Sequence, residues 1–299
     1  MKRIAALNCA LAVAAGCAQP SQAPQTPETP PTSRTSQVPQ AKPVRAPAEA
    51  SPEAKAQLAP TGVLRVAVLT SNPIIGVKDP GTGELAGTTV SLGRALAKRA
   101  GLAVQMIEYT AVNKLVEDAA LTASGGAWDV TVVAIDPARR NVLDFAPAHL
   151  AADGFLTVLV PPGSAARSMA EIDRAGMRVA AVRGAAPAMI LERTLQRAKV
   201  IQAENENAAF ALMKDGKADG YAQNRFMLRA RAETLPGSRI IDDAFAGLRL
   251  SFALPKARPA ASQFVAAFVE EAKASGVVQE AIDAAGVAGD VKVAPAEQR

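Results

Sequence analysis

The strongest constraint on this chain is an alternation of strand-like and helix-like segments that begins at Gly62 and restarts once. Val63 to Leu69 is rich in β-formers. Val90 to Ala100 sets Leu92, Ala95, Leu96 and Arg99 at helical spacing before a Gly101 stop. Ala103 to Tyr109 reads as a strand, Val112 to Ala123 as a helix and Asp129 to Ile135 as a buried strand. This βαβαβ order implies a parallel sheet with helices on both faces, since each crossover helix returns the chain to the same end of the sheet.

The pattern then repeats. Met177 to Val182, Lys199 to Ala203 and Ala218 to Ala222 read as strands. Ala188 to Arg197, Ala208 to Lys214 and Gln223 to Glu233 read as the helices among them. Between the units lies an extended apolar run, Gly154 to Pro161, and after the second lies another, Leu248 to Pro255. Read as two crossing strands of a hinge, they return the chain to the first lobe, where Ser262 to Ser275 presents Phe264, Val265, Phe268 and Val269 on one helix face. The expectation is an α/β protein of two lobes, each a mostly parallel sheet with flanking helices. Residues 61–155 plus 252–290 form the first lobe, residues 156–251 the second, and 291–299 a flexible tail.

The start of the chain has another character. Lys2 and Arg3 precede an apolar run from Ile4 to Val13, and Ala14-Ala15-Gly16-Cys17 follows, the pattern of a lipoprotein signal peptide over residues 1–16. The run falls short of the roughly 20 residues that span a bilayer. Cys17 then becomes the acylated first residue, with the lipid bilayer as a partner. An ordinary secretory signal is the plainer alternative. Both cysteines of the chain, Cys9 and Cys17, lie in this leader, so the folded body is expected to have no disulfide, thiolate zinc site or cysteine nucleophile. From Ala18 to Pro60 the composition is Pro, Gln, Thr, Ser and Ala, with 10 of the 21 prolines and no aromatic residue. Such a segment buries too little apolar surface to fold and reads as a tether over residues 17–60.

Charge narrows the function. The net charge is +5, but 33 Lys and Arg are interspersed with 28 Asp and Glu without a block of like charge, and aromatics are 4%. These features argue against nucleic acid as a partner. No Gly-x-Ser-x-Gly elbow, His-Glu-x-x-His helix or phosphate-binding Gly-x-x-x-x-Gly-Lys loop occurs, and the single histidine, His149, lies beside the hinge as a structural residue. No catalysis, cofactor or metal is expected. Asp242-Asp243 and Glu270-Glu271 read as solvated surface.

Several short motifs then follow one another in order. They are Gly62-Val-Leu-Arg-Val, Gly83-Glu-Leu-Ala-Gly87, Trp128-Asp129-Val130, Asp136-Pro137-Ala138-Arg139, Leu143-Asp144-Phe145-Ala146-Pro147, Val179-Ala-Ala-Val-Arg-Gly184 and Gly216-Lys-Ala-Asp219. From about Thr61 to Val287 the chain resembles the extracellular solute-binding proteins of the polar amino-acid type, which share the type II periplasmic binding protein fold. The resemblance implies a monomer in the periplasm that captures a small polar solute between its lobes and delivers it to ABC permease subunits in the inner membrane. A sensor or scaffold on the same fold is the alternative, and a periplasmic dehydratase a more distant one.

The resemblance also implies site residues. Arg139 corresponds to the arginine that holds a ligand carboxylate, a task suited to two parallel charge-assisted donors. Asp136 and Pro137 independently set a helical turn, as N-cap and first residue. Simple surface pairing of Arg139 or Arg140 with Asp136 or Asp144 is the alternative. In the second lobe Gly184 permits close backbone approach, with the amides of Ala185 and Ala186, and Arg183, as donors; a tight turn needing only Gly184 explains the same residues. Asn224 stands where the family places an Asp for the ligand's amino group, and Ser71 and Asn72 stand where it places an aromatic wall. Ser91 replaces a common acidic residue. An α-amino acid and another small carboxylate therefore both remain open.

Overall fold

The computed structural model describes residues 49–121 and 126–296; the leader, Cys17 and most of the expected tether lie outside the described residues, as do 122 and 123 at the end of the expected second helix. Helix α1 (Pro52–Leu58) comes first. Strand β1 (Val63–Leu69) follows, then a small hairpin of β2 (Val77–Lys78) and β3 (Leu85–Ala86), and helix α2 (Thr88–Ala100). Strand β4 (Ala103–Tyr109), helix α3 (Val112–Asp118) and strand β5 (Val130–Ala134) complete the first unit. The expected stop of α2 is realised by Gly101, whose φ of 65° is the left-handed conformation that glycine adopts without penalty. Its buried stripe of Leu92, Leu96 and Ala97 packs on the sheet, and Gly93 allows the approach: a Cβ there would sit 3.0 Å from Val66. β4 and β5 flank β1 in parallel, and every residue of β5 is buried.

A 3-10 turn (Pro137–Asn141) leads into β6 (Leu143–Phe145) and the long β7 (Leu150–Val160), which carries the chain into the second lobe. There a short helix α4 (Met169–Ile172) precedes β8 (Arg178–Val182), α5 (Ala186–Thr194), β9 (Lys199–Ala203), α6 (Glu206–Lys214), β10 (Gly220–Asn224) and α7 (Arg225–Glu233). β9 and β10 flank β8 in parallel, repeating the arrangement of the first lobe. Strand β11 (Arg239–Ile240) adds to β7, and β12 (Ala246–Pro255) returns to the first lobe, where α8 (Pro259–Ala274) and α9 (Val277–Ala284) follow. The sheet order is β4-β1-β5-β12-β7-β10-β8-β9. The two parallel sheets are thus joined through an antiparallel pair, β12 with β7, and the lobe boundaries expected at 155/156 and 251/252 fall inside these strands.

Each lobe is braced by the same device. Asp129, wholly buried before β5, accepts from the Arg65 main-chain amide (3.0 Å), Nε (2.9 Å) and Nη2 (2.8 Å) on β1. Asp219, before β10, accepts from the amide (2.8 Å), Nε (3.1 Å) and Nη2 (3.1 Å) of Arg178 on β8. Arg258 adds a further donor to Asp129 at 3.0 Å, which satisfies a carboxylate that burial would otherwise penalise by several kcal/mol. His149 is buried against Phe252, with ring centroids 5.1 Å apart, and neither ring nitrogen has a partner among the described residues. Burial, aided by the nearby Lys273 charge, depresses its pKa to about 3 and keeps it neutral.

Two expectations for the chain's ends need correction. Residues 52–58 of the expected tether form α1, capped by the Ser51 hydroxyl, which accepts from Ala54 N at 3.1 Å, with Pro52 in the first turn. Ala54 and Leu58, one turn apart, bury against the fold, and Gln57 Oε1 accepts the amides of Ala260 (2.8 Å) and Ala261 (3.3 Å) at the start of α8. The average composition of the Pro-rich segment concealed this short capped pattern. In the expected tail, β13 (Lys292–Val293) pairs with β7, and Val291 and Ala294 are buried. Replacing Leu58 by Ala is expected to destabilise the fold by about 2–4 kcal/mol in urea unfolding; a value near zero would return α1 to the tether.

Candidate functional site

In open α/β sheets ligands gather at the carboxyl ends of parallel strands, where loops and helix starts converge. Both sheets point these ends at one cavity of about 60 Å³ between the lobes. From the first lobe come Ser71 and Asn72 after β1, Thr110 and Ala111 after β4, and Arg139 after β5. The second lobe contributes Ala185 to Pro187 after β8, Glu204 to Glu206 after β9, and Gln223 and Asn224 at the end of β10. Leu248 and Leu250 of β12 line it as well, so the hinge itself faces the cavity.

Arg139 is placed as the local sequence requires. The Asp136 side chain caps the 3-10 turn by accepting from Ala138 N at 2.9 Å, Pro137 opens it, and Arg139 turns inward at 4% exposure. Its Nη1 donates to Ala134 O and its Nη2 crosses to Gly184 O of the other lobe, both at 2.8 Å. Burial pushes its pKa down to about 10, against the opposing effect of Asp136, so it stays a cation at neutral pH. The alternative surface pairing is not seen: Asp136 pairs with Arg193 of α5, Asp144 with Lys256, and Arg140 lies over the Phe145 ring. Arg139 has no carboxylate partner among the described residues. A guanidinium has five N–H donors, so capacity remains for a ligand.

The other expected residues separate. Ser71, Asn72, Ala185 and Asn224 line the cavity beside Arg139. The Asn72 Oδ1 accepts from Ile74 N at 3.3 Å, and the Ala185 amide is used in the turn by Val182 O at 3.1 Å, which removes it as an anion donor. Gly184 adopts φ 69°, with room for the Asn113 side chain of the opposite lobe. Asn224 is buried; its Oδ1 caps α7 by accepting from Met227 N at 2.8 Å, and its Nδ2 donates to Gln223 Oε1 at 3.3 Å. Asp136 and Arg183 do not line the cavity. Asp136 bridges the lobes through Arg193 at 2.8 Å, while Arg183 stands at a polar mouth of about 510 Å³ with Asn113, Glu204 and Asn205. Ser91 lies in an outer groove among α2, α8 and α9.

Sequence reasoning missed Glu206 and Gln223. Glu206, the first residue of α6, accepts from Gln223 Nε2 at 2.8 Å through Oε1 and from the Tyr221 hydroxyl through Oε2. Burial raises its pKa, with the two hydrogen bonds and Arg231 acting against that rise. The one available signal was positional, since residues 204–206 follow directly on a parallel strand.

Known proteins agree with this architecture. Residues 64–284 match the model of the bacterial extracellular solute-binding proteins, family 3. A glutamine-binding protein of Geobacillus stearothermophilus is 26% identical over 186 residues, 62% of this chain and 69% of that protein. The ABC transporter glutamine-binding protein GlnH of Bacillus subtilis (strain 168) is 23% identical over 213 residues, covering 71% and 77%. The solute receptor for L-cysteine of Neisseria gonorrhoeae superposes with a TM-score of 0.65 at 20% identity, over 78% of this chain and 94% of that one. With two parallel-sheet lobes, crossing strands and a family model matched over most of its length, the chain belongs to the bacterial extracellular solute-binding proteins, family 3, and has the type II periplasmic binding protein fold.

Proposed function

We propose that this protein captures a small carboxylate-bearing solute, an amino acid or a related acid, in the interlobe cavity, and that lobe closure about β7 and β12 completes the site. The observation that carries this reading is Arg139, a buried cation beside the cavity with no carboxylate partner among the described residues. Leaving a buried guanidinium uncompensated costs several kcal/mol, and a ligand carboxylate supplies the missing charge. Closure engages three pairs across the cleft: Arg139 with Gly184 O, Arg193 with Asp136, and Arg229 with Asp290 at 2.8 Å. A ligand touching both lobes favours that state because its affinity for it is greater.

The wider setting is proposed on the leader and the relatives. Acylation at Cys17 anchors the protein to a cell-envelope membrane facing the periplasm, and the described relative of an ABC transporter supports delivery to permease subunits of an importer. The unfavourable composition of the segment before α1 for folding suits a tether between lipid and domain.

A melting-temperature screen of amino acids, organic acids and polyamines is expected to show stabilisation by carboxylates. Arg139→Ala should weaken such a ligand at least ~100-fold by calorimetry, as expected for two charge-assisted hydrogen bonds. Stabilisation by a polyamine alone would overturn the reading. Arg193→Ala removes a half-exposed partner of a buried carboxylate and should lower affinity by roughly 2- to 10-fold, with a larger radius of gyration in X-ray scattering of the free protein. Cys17→Ser is expected to move the protein from the membrane fraction to the soluble one.

A further inference from the structure

The cavity is lined by a second, half-buried charge that the proposed carboxylate does not answer. Glu206 enters from the second lobe, opposite in sign to Arg139, and both line the same cavity. Gln223, which donates to Glu206 Oε1, also lines the cavity, whereas Tyr221, which donates to Glu206 Oε2, does not. Both donors are neutral. Arg231, whose charge favours the ionised form of Glu206, is engaged elsewhere: Nη2 donates to Asn207 Oδ1 at 2.6 Å and the guanidinium lies 5.1 Å from the Phe210 ring centroid. No ion pair to Glu206 occurs among the described residues.

A purely local role does not account for this carboxylate. The start of α6 is already capped by Asn205, whose Oδ1 accepts from Ala208 N at 3.0 Å. An acidic residue in a first helical turn gains from the helix dipole while exposed to water, but Glu206 is drawn inward and desolvated, which raises its pKa. A carboxylate has about four acceptor positions, and the two known donors leave capacity for more. Asn224 cannot take this part, since its one side-chain oxygen caps α7 and its other polar atom is a donor. The Gln223 oxygen already accepts from both the Asn224 amide and Nδ2.

We infer that Glu206 is the acceptor for a cationic nitrogen of the ligand, so that the cavity selects zwitterions, with the ligand carboxylate on Arg139 and its ammonium on Glu206. This rests on the reading of Arg139 as the carboxylate clamp. A dicarboxylate or simple acid would satisfy Arg139 but leave Glu206 uncompensated beside a second negative charge. The inference therefore chooses between the amino acids and the plain acids that Arg139 alone would admit.

The test uses the full chain and pairs of ligands that differ only in the α-amino group: L-alanine and propionate, L-serine and 3-hydroxypropionate, L-glutamine and 4-carbamoylbutyrate. Calorimetry on the wild type is expected to favour the amino acid in at least one pair by 100-fold or more. Glu206→Gln should weaken that amino acid at least 10-fold while leaving its plain acid within 3-fold, and adding Asn224→Asp should recover part of the loss. Glu206→Asp gives the same comparison with an intermediate loss if Gln lowers the yield of folded protein. Unchanged amino-acid affinity in Glu206→Gln, or a wild type that does not discriminate within any pair, overturns the assignment. Arg139→Ala should weaken both members of a pair alike, so failure of the clamp is read separately. A wild type that binds no member of any pair removes the clamp and this inference with it.

Discussion

The antiparallel pairing of β7 with β12 joins two sheets that would otherwise be separate. Leu150 lies opposite Leu250 and Leu156 opposite Ala246, and from Leu156 to Leu159 β7 pairs with β10 along its other edge. The same strands carry the chain out to the second lobe and back, so any motion between lobes is concentrated in them. Their register shifts between Ala246 and Leu248, at Gly247, where a Cβ would meet Ala152 O at 2.8 Å. An irregularity of this kind bends a strand while preserving its neighbours' pairing. It lies next to Leu248, which lines the cavity, so the bend and the cavity lining meet on one strand.

Rigid lobes make such a hinge useful, and the repeated arginine–aspartate brace supplies rigidity in each. The two braces differ in setting. Asp129 is fully buried and takes a second arginine, Arg258, delivered by a turn in which Ala257 adopts φ 66°, a conformation that costs a non-glycine residue energy. Asp219 is a third exposed and has Arg178 alone, and that pairing holds its carboxyl below the usual range. Coulombic attraction in the second lobe is therefore screened by water, while the first brace acts in a drier setting where removing either partner would strand a charge.

The fold was legible because period and order are properties of sequence. β1, β4 and β9 begin and end where β-rich runs do, and Gly101 ends α2 as a left-handed cap. The ends of the domain were less legible, since α1 and β13 depend on partners, α8 and β7, more than a hundred residues away. The site divided in the same manner. Asp136-Pro137 marks the turn that carries Arg139 by local chemistry alone. Glu206 looks like an ordinary solvated acid at a helix start, and its inward hydrogen bonds come from Tyr221 and Gln223 on a strand that folds beside it.

On the proposed reading, Arg139 also ties ligand charge to lobe position. One of its hydrogen bonds stays within its own lobe, to Ala134 O, and the other crosses the cleft to Gly184 O. The guanidinium is partly satisfied in this arrangement but shut off from water, and that burial displaces its pKa downward. Two neutral carbonyls do not replace the lost hydration of a cation; an anion does. In the proposed mechanism the closed state gains more from a carboxylate than an open state in which Arg139 is hydrated. That difference in affinity is what an equilibrium between open and closed lobes requires in order to respond to a solute.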